Sequence, residues 1–355
     1  MKEIRAIVKA YQSIDFEKTR AALATVVRVE GSSYRRAGAR MLVLDNGVYL
    51  GGISGGCLEG DALRRAQKAI GLHHPSVVTY DTMQEDDHQV GVGLGCQGII
   101  DVLFTPLEPE DPENPVRVLE RLVDIREPAC LVTITGGTET PGRSILFEEG
   151  RPVPGDVLGD INDCRATLQS RSFSYASGMS LFVEIVLPAI QVIVYGSNND
   201  IYPFLRMSGE LGWDTVLVTN LLRADKVLWS LAGQVLDQAM EGTPSVDAYT
   251  AIVLMTHDYK TDLRRLPEVL GTDASYIGIL GPRKRTERMY AALGAEGRSV
   301  GEADRQRIYS PAGLDIGAST PEEIALSILA EIRGHFAGRQ GSPLRLRTGT
   351  IYSGQ

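Results

Sequence analysis

Residues 191–219 read QVIVYGSNNDIYPFLRMSGELGWDTVLVT, and they decide the architecture of the C-terminal half of this 355-residue chain. An apolar run at 191–195 predicts a strand. The small polar turn 196–200 follows, then an apolar helix to 211 and a second strand at 215–219. This is the β–turn–α–β opening of a doubly wound, nucleotide-binding type of sheet. Further strands are expected at 251–255 and 276–280, with helices at about 260–270 and 284–293. Thr320, Pro321 and Glu323 form a capping box with proline at the first helical position, which predicts a helix carrying Ile324, Ile328 and Ile332 on one face. The turn 196–200 departs from the dinucleotide fingerprint G-x-G-x-x-G. Asn198 stands where the second glycine lets a pyrophosphate approach, and Asn220 follows the second strand where an acid would hold the ribose. NAD(P) is therefore disfavoured.

Upstream of residue 189 the pattern is different. A helix is expected at 2–12, with Ile4, Ile7, Val8 and Tyr11 on one face. Strands are expected at 23–29, 40–44, 48–50, 77–80 and 99–105, and Asn46-Gly47 marks a hairpin. From residue 107 the chain turns rich in Pro, Glu and Asp. Beyond that stretch the chain echoes its first part: 130–135 resembles 23–29, 141–143 resembles 37–40, and 182–188 resembles 102–106. The expectation is an α+β domain of two related halves over 1–188, followed by a Rossmann-like parallel-sheet domain over 189–355.

The richest chemistry lies in 31–61. The turn GSSYRRAGAR (31–40) carries Ser32, Ser33, Arg35, Arg36 and Arg40, side chains that suit an anion. A solvated hairpin with surface arginines would read the same way. The loop GGISGGCLEGD (51–61) places Ser54, Gly55, Gly56 and Cys57 where a helix is expected to begin near Gly56. Its first N–H groups and positive dipole end would face a ligand there and favour a thiolate. A buried structural cysteine is the plainer alternative. A second glycine-rich loop, GVGLGCQG (91–98), carries Gly95 and Cys96. In the C-terminal half, His257 and Asp258 follow one strand and Arg283 and Lys284 follow another. His257 is a candidate acid–base residue or phosphate contact, Arg283 an anion contact, and Asp258 the cap of the next helix.

Composition narrows the class. A formal net charge of -9 with a pI near 5.2 argues against nucleic-acid binding. No run of about 18 apolar residues predicts a membrane span, and the N-terminus lacks an apolar signal core. Four cysteines (Cys57, Cys96, Cys130, Cys164) without a C-x-x-C pair predict free thiols in a cytoplasmic setting.

Six blocks resemble the XdhC/CoxI family of xanthine dehydrogenase accessory proteins: 24–43, 51–61, 93–98, 255–262, 276–285 and 310–332. The resemblance implies an XdhC-type domain followed by a Rossmann-like one. It also implies a maturation chaperone that transiently binds molybdenum cofactor (molybdopterin). Such a protein promotes sulfuration of the cofactor with a cysteine desulfurase, inserts it into a xanthine-dehydrogenase-like molybdenum hydroxylase, and commonly forms a homodimer. The cofactor's phosphate would meet Arg35, Arg36, Arg40 and the N–H groups around 55–57, while Cys57 or Cys96 would approach molybdenum as a soft ligand. The family usually has glycine at the place of Asn198 and an acid at that of Asn220. Two other classes compete: an NAD(P)-dependent oxidoreductase using the C-terminal domain, and a cysteine-dependent transferase or hydrolase with Cys57 as nucleophile.

Overall fold

The computed structural model describes residues 1–81, 98–137, 141–149, 157–222, 224–239 and 242–348. Gly95 and Cys96 lie outside the described residues. The chain divides into two units between Pro188 and Ala189.

The first unit runs α1 (Lys2–Gln12), β1 (Ala21–Gly31), β2 (Arg40–Leu44), β3 (Tyr49–Gly51), α2 (Glu59–Leu72), β4 (Ser76–Asp81) and β5 (Gly98–Leu107). It continues with α3 (Pro115–Glu120), β6 (Ala129–Gly136), β7 (Ser144–Leu146), α4 (Leu158–Thr167), β8 (Arg171–Ser174) and β9 (Ser180–Val186). Two antiparallel sheets result, ordered β3-β2-β1-β5-β4 and β7-β6-β9-β8. Side chains alternate along β1: Ala22, Ala24 and Val26 meet Ala62, Ala66 and Ile70 of α2. Ala21 and Leu23 instead share a cluster with Ile4, Ile7 and Val8 of α1 and with Leu119 of α3. The small alanines of β1 and α2 allow the helix to lie close on the sheet, and Asn46-Gly47 makes the β2–β3 turn, with Leu44 N–H donating to Val48 O at 2.8 Å.

The four-stranded sheet repeats the order β2-β1-β5-β4 strand for strand, with α4 in the place of α2. Both central strands carry a register shift, at 26/28 in β1 and 134/136 in β6. The turns entering β2 and β7 match as well. Gly38 N–H donates to Val26 O as Gly142 N–H does to Ile134 O. Each turn also packs on the other half: Gly38 lies against Glu184 of β9, and Gly142 against Thr105 of β5. The echo in the sequence is therefore a repeated supersecondary unit.

The second unit runs β10 (Gln191–Tyr195), α5 (Ile201–Glu210), β11 (Asp214–Thr219), α6 (Lys226–Leu231), β12 (Gln234–Asp237), β13 (Thr250–Leu254) and α7 (Tyr259–Leu270). It closes with β14 (Tyr276–Ile279), α8 (Arg283–Ala295), α9 (Glu302–Arg307), β15 (Ile308–Tyr309) and α10 (Pro321–Phe336). The strands pair in parallel in the order β12-β11-β10-β13-β14-β15, a doubly wound sheet whose order reverses between β10 and β13. α5 and α10 cover one face, α7 and α8 the other. The Thr320–Glu323 capping box is formed as expected. Among the described residues no helix is long and apolar enough to cross a membrane.

Candidate functional site

Strand pairing gathers the glycine-rich segments of the first unit at one end of its five-stranded sheet. β1 ends at Gly31, opposite Gly98 at the start of β5. β3 ends at Gly51, opposite Met41 beside the start of β2, and β4 ends at Asp81, opposite Ile99. The turn 32–39 and the loop after Gly51 leave that end, and β5 begins there at Gly98. The approach at Gly98 is tight: a Cβ would stand 2.5 Å from Glu30 O and 2.7 Å from Ser32 O. The turn and the loop also touch, through the Tyr34 ring lying against Gly55.

The loop is organised by Ser54 and Glu59. The Ser54 hydroxyl donates to the Glu59 carboxylate, which also accepts the Ser54 N–H at 2.8 Å. Ser54 Oγ in turn accepts from Gly56 N–H (3.2 Å) and Leu58 N–H (3.0 Å). Burial would push the Glu59 carboxyl up, but the hydrogen bonds from Ser54 outweigh it and hold the group below the usual carboxylate range. α2 begins at Glu59 and not near Gly56, because Gly56 holds φ 114°, outside the helical region, and the chain turns helical only after it. Cys57 therefore precedes the first turn. Its thiol donates to Ser54 Oγ at 3.3 Å, and the side chain is partly exposed. Asp61, in the first turn, accepts from the Tyr80 hydroxyl at 2.9 Å.

The three arginines of the turn have different surroundings. Arg40 is buried and binds both carboxylate oxygens of Glu184, so its charge ties the two halves of the unit together. Arg35 pairs with Glu3 of α1, whose other oxygen accepts the Arg40 N–H at 2.9 Å. Arg36 and Cys57 are half-buried, while Ser32, Gly55 and Gly56 are exposed. Ser33 is buried, and its Oγ has no hydrogen-bond partner among the described residues. An unpaired buried hydroxyl is costly, and at this end of the sheet it is a feature a ligand would relieve.

In the second unit, His257 and Asp200 meet where the strand order reverses. Asp200 follows β10 and His257 follows β13. His257 Nε2 lies 2.5 Å from Asp200 Oδ2, and His257 holds a left-handed backbone, φ 58°, which is uncommon outside glycine. Asp200 is buried, and its Oδ1 has no partner among the described residues. Sequence reasoning missed Asp200, whose partner lies 57 residues away. Asp258 caps α7 by accepting the Thr261 N–H at 2.7 Å, and bonding from Thr261 holds its carboxyl below the usual range. Arg283 opens α8 and is exposed. Asn198 is exposed, and Asn220 Oδ1 accepts the Leu222 N–H at 3.0 Å, closing a local turn. That side chain offers a ribose no carboxylate.

The described cysteines are free thiols. Cys130 and Cys164 are buried, and burial pushes the Cys130 thiol up to about 12. Among the described residues no three His, Cys, Asp or Glu side chains are grouped to hold a metal.

A protein of Bacillus subtilis (strain 168), described as a probable xanthine dehydrogenase subunit, is 32% identical over 327 residues, covering 89% of this chain and 93% of that protein. This chain belongs to the XdhC and CoxI family. Residues 17–81 match that family and residues 192–332 match its XdhC Rossmann domain. The molybdenum cofactor insertion chaperone PaoD of Escherichia coli (strain K12) is 24% identical over 312 residues, covering 88% of this chain and 82% of PaoD. A crystal structure described as a xanthine dehydrogenase from Bacillus halodurans aligns over 98% of this chain and 99% of its own with a TM-score of 0.74 at 28% identity. These likenesses span both units and lend no support to an NAD(P)-dependent oxidoreductase.

Proposed function

We propose that this XdhC-family chain is a maturation chaperone. It binds molybdenum cofactor, assists its sulfuration, and inserts it into a xanthine-dehydrogenase-like molybdenum hydroxylase. The observation that carries the reading is the convergence of the Arg36 turn, the Cys57 loop and the start of β5 at Gly98 at one end of the first unit's sheet. The names of the relatives supply the cargo and the client. The cofactor is cargo and brings its own dithiolene ligands, so a lone soft thiolate suffices on the protein side.

In this reading Arg36, Ser32 and Ser33 meet the phosphate tail beside the exposed backbone of Gly55 and Gly56, and Cys57 approaches molybdenum. Arg35 stays within reach while anchored by Glu3. Arg40 acts indirectly, by fixing the turn through Glu184. Cys96, beside Gly95 in the second glycine-rich segment, is the alternative thiol for molybdenum. His257, after β13, and Arg283, at the start of α8, are candidate cofactor contacts by sequence, and the reading does not depend on them. A cysteine desulfurase donates the sulfur, the chain works in the cytoplasm, and a homodimer is the working form.

The test is anaerobic purification from a molybdenum-replete host, or reconstitution with free cofactor, followed by assay of molybdenum and oxidised pterin. Retention of both in equal amounts supports the reading. A wild-type chain that binds neither would sink it.

A further inference from the structure

Tyr34 has a placement that phosphate binding does not explain. The residue is 66% exposed, yet the ring is not loose on the surface. A methyl on Gly55 would stand 3.2 Å from the ring's Cγ and 3.4 and 3.5 Å from its two Cδ atoms. Three nearly equal distances put Gly55 under the face of the ring, not at its edge. The aromatic plane is thus backed by glycine backbone from the Cys57 loop, two residues before the thiol.

We infer that Tyr34 is a stacking subsite for a flat heteroaromatic ring, and that Gly55 is the seat that holds the tyrosine in place. The inference rests on the cofactor reading above and assigns the pterin ring to this platform. Aromatic rings offset-stack on flat heterocycles without needing a particular hydrogen-bond pattern. Arginine contacts to phosphate do not discriminate among phosphorylated molecules, so a stacking face beside Arg36 adds recognition of the ring. Gly55 matters because a side chain there would crowd the ring and push it back by a few tenths of an ångström. Tyr34 has no role legible in the sequence, since nothing local links position 34 to position 55.

The experiment titrates the full chain anaerobically with molybdenum cofactor released from a molybdoenzyme, and in parallel with inorganic phosphate. Affinity is read by ultrafiltration and molybdenum assay, and stacking by loss of intensity in the pterin absorption band. Wild type and Tyr34→Phe are expected to bind alike and to show the same absorption change. Tyr34→Ala is expected to bind the cofactor about tenfold more weakly and to lose the change, with phosphate affinity untouched. Gly55→Ala is expected to follow Tyr34→Ala in direction. The unfolding midpoint of each variant checks that it is folded.

If Tyr34→Ala binds the cofactor with wild-type affinity and absorption change, the stacking inference fails while the chaperone reading stands. If Tyr34→Phe is as weak as Tyr34→Ala, the hydroxyl and not the ring carries binding, and the inference fails. It also fails if Tyr34→Ala weakens phosphate equally, or if cofactor affinity holds and only docking to the hydroxylase is lost. If wild type binds no cofactor, the functional reading and this inference fall together.

Discussion

The loops at the glycine-rich end of the first unit and the crevice of the second meet ligands with different equipment. The first presents exposed backbone at Gly55 and Gly56, a half-buried thiol at Cys57 and an aromatic face at Tyr34. Two of its predicted cations are turned to internal work, Arg35 on Glu3 and Arg40 on Glu184. The second presents a carboxylate–imidazole pair, Asp200 and His257, at the carboxyl ends of β10 and β13, where open parallel sheets bind ligands. It lacks the glycine and the acid that would make it a dinucleotide site. The second unit thus has an unassigned polar couple on a familiar scaffold, and the first has a soft, backbone-rich surface on a repeated sheet. For that reason the proposed cargo, a bulky anionic cofactor with its own metal ligands, is assigned to the first unit.

That contrast can be broken at several points. The largest effect is expected at Glu184→Ala, which leaves Arg40 buried without its partner and costs about 3–5 kcal/mol of stability. Denaturant unfolding measures it, and a variant unfolding like wild type would show that the pair does not bind the halves together. Arg36→Ala is expected to weaken cofactor binding about tenfold, the scale of one charge-assisted hydrogen bond, with the unfolding midpoint kept. His257→Gln is expected to leave cofactor affinity where it was. A loss at His257 to match that at Arg36 would erase the distinction between the two regions.

Ser54→Ala removes the acceptor for Gly56 and Leu58 N–H groups and should cost about 1 kcal/mol, as loss of a helix cap does. The smallest effect is the most diagnostic of pH. The Glu59 carboxyl is held below its usual range. Its contribution is therefore complete above about pH 5 and is lost as pH falls through the lowered value. Glu59→Gln should unfold more readily than wild type at neutral pH, with the gap closing in acid. A gap that is constant with pH would mean that the charge on Glu59 is not what organises the loop.

Much of this molecule is legible locally. Asn46-Gly47, the Asp258 cap and the Thr320–Glu323 box each act within a few residues, and all three form as their sequences predict. The parallel order of the second sheet follows from its β–turn–α–β spacing. Partnerships across the chain are another matter. Arg40 reads as an anion contact until Glu184, 144 residues away, is seen to claim it. Asp200 carries no signal of His257. The glycines predict a start of α2 near Gly56, but Gly56 itself takes a left-handed φ of 114° and the helix starts at Glu59. A glycine admits both helical and left-handed backbone, and only the folded loop reveals which it adopts.

The Arg36–Cys57 end of the first unit is the proposed seat of the cofactor. The most direct test is the equilibrium affinity for free molybdenum cofactor of wild type, Arg36→Ala and Cys57→Ala, each purified anaerobically and confirmed folded. Stoichiometric binding by wild type and clear weakening in both variants are expected. Wild-type affinity in both variants would place the cofactor elsewhere.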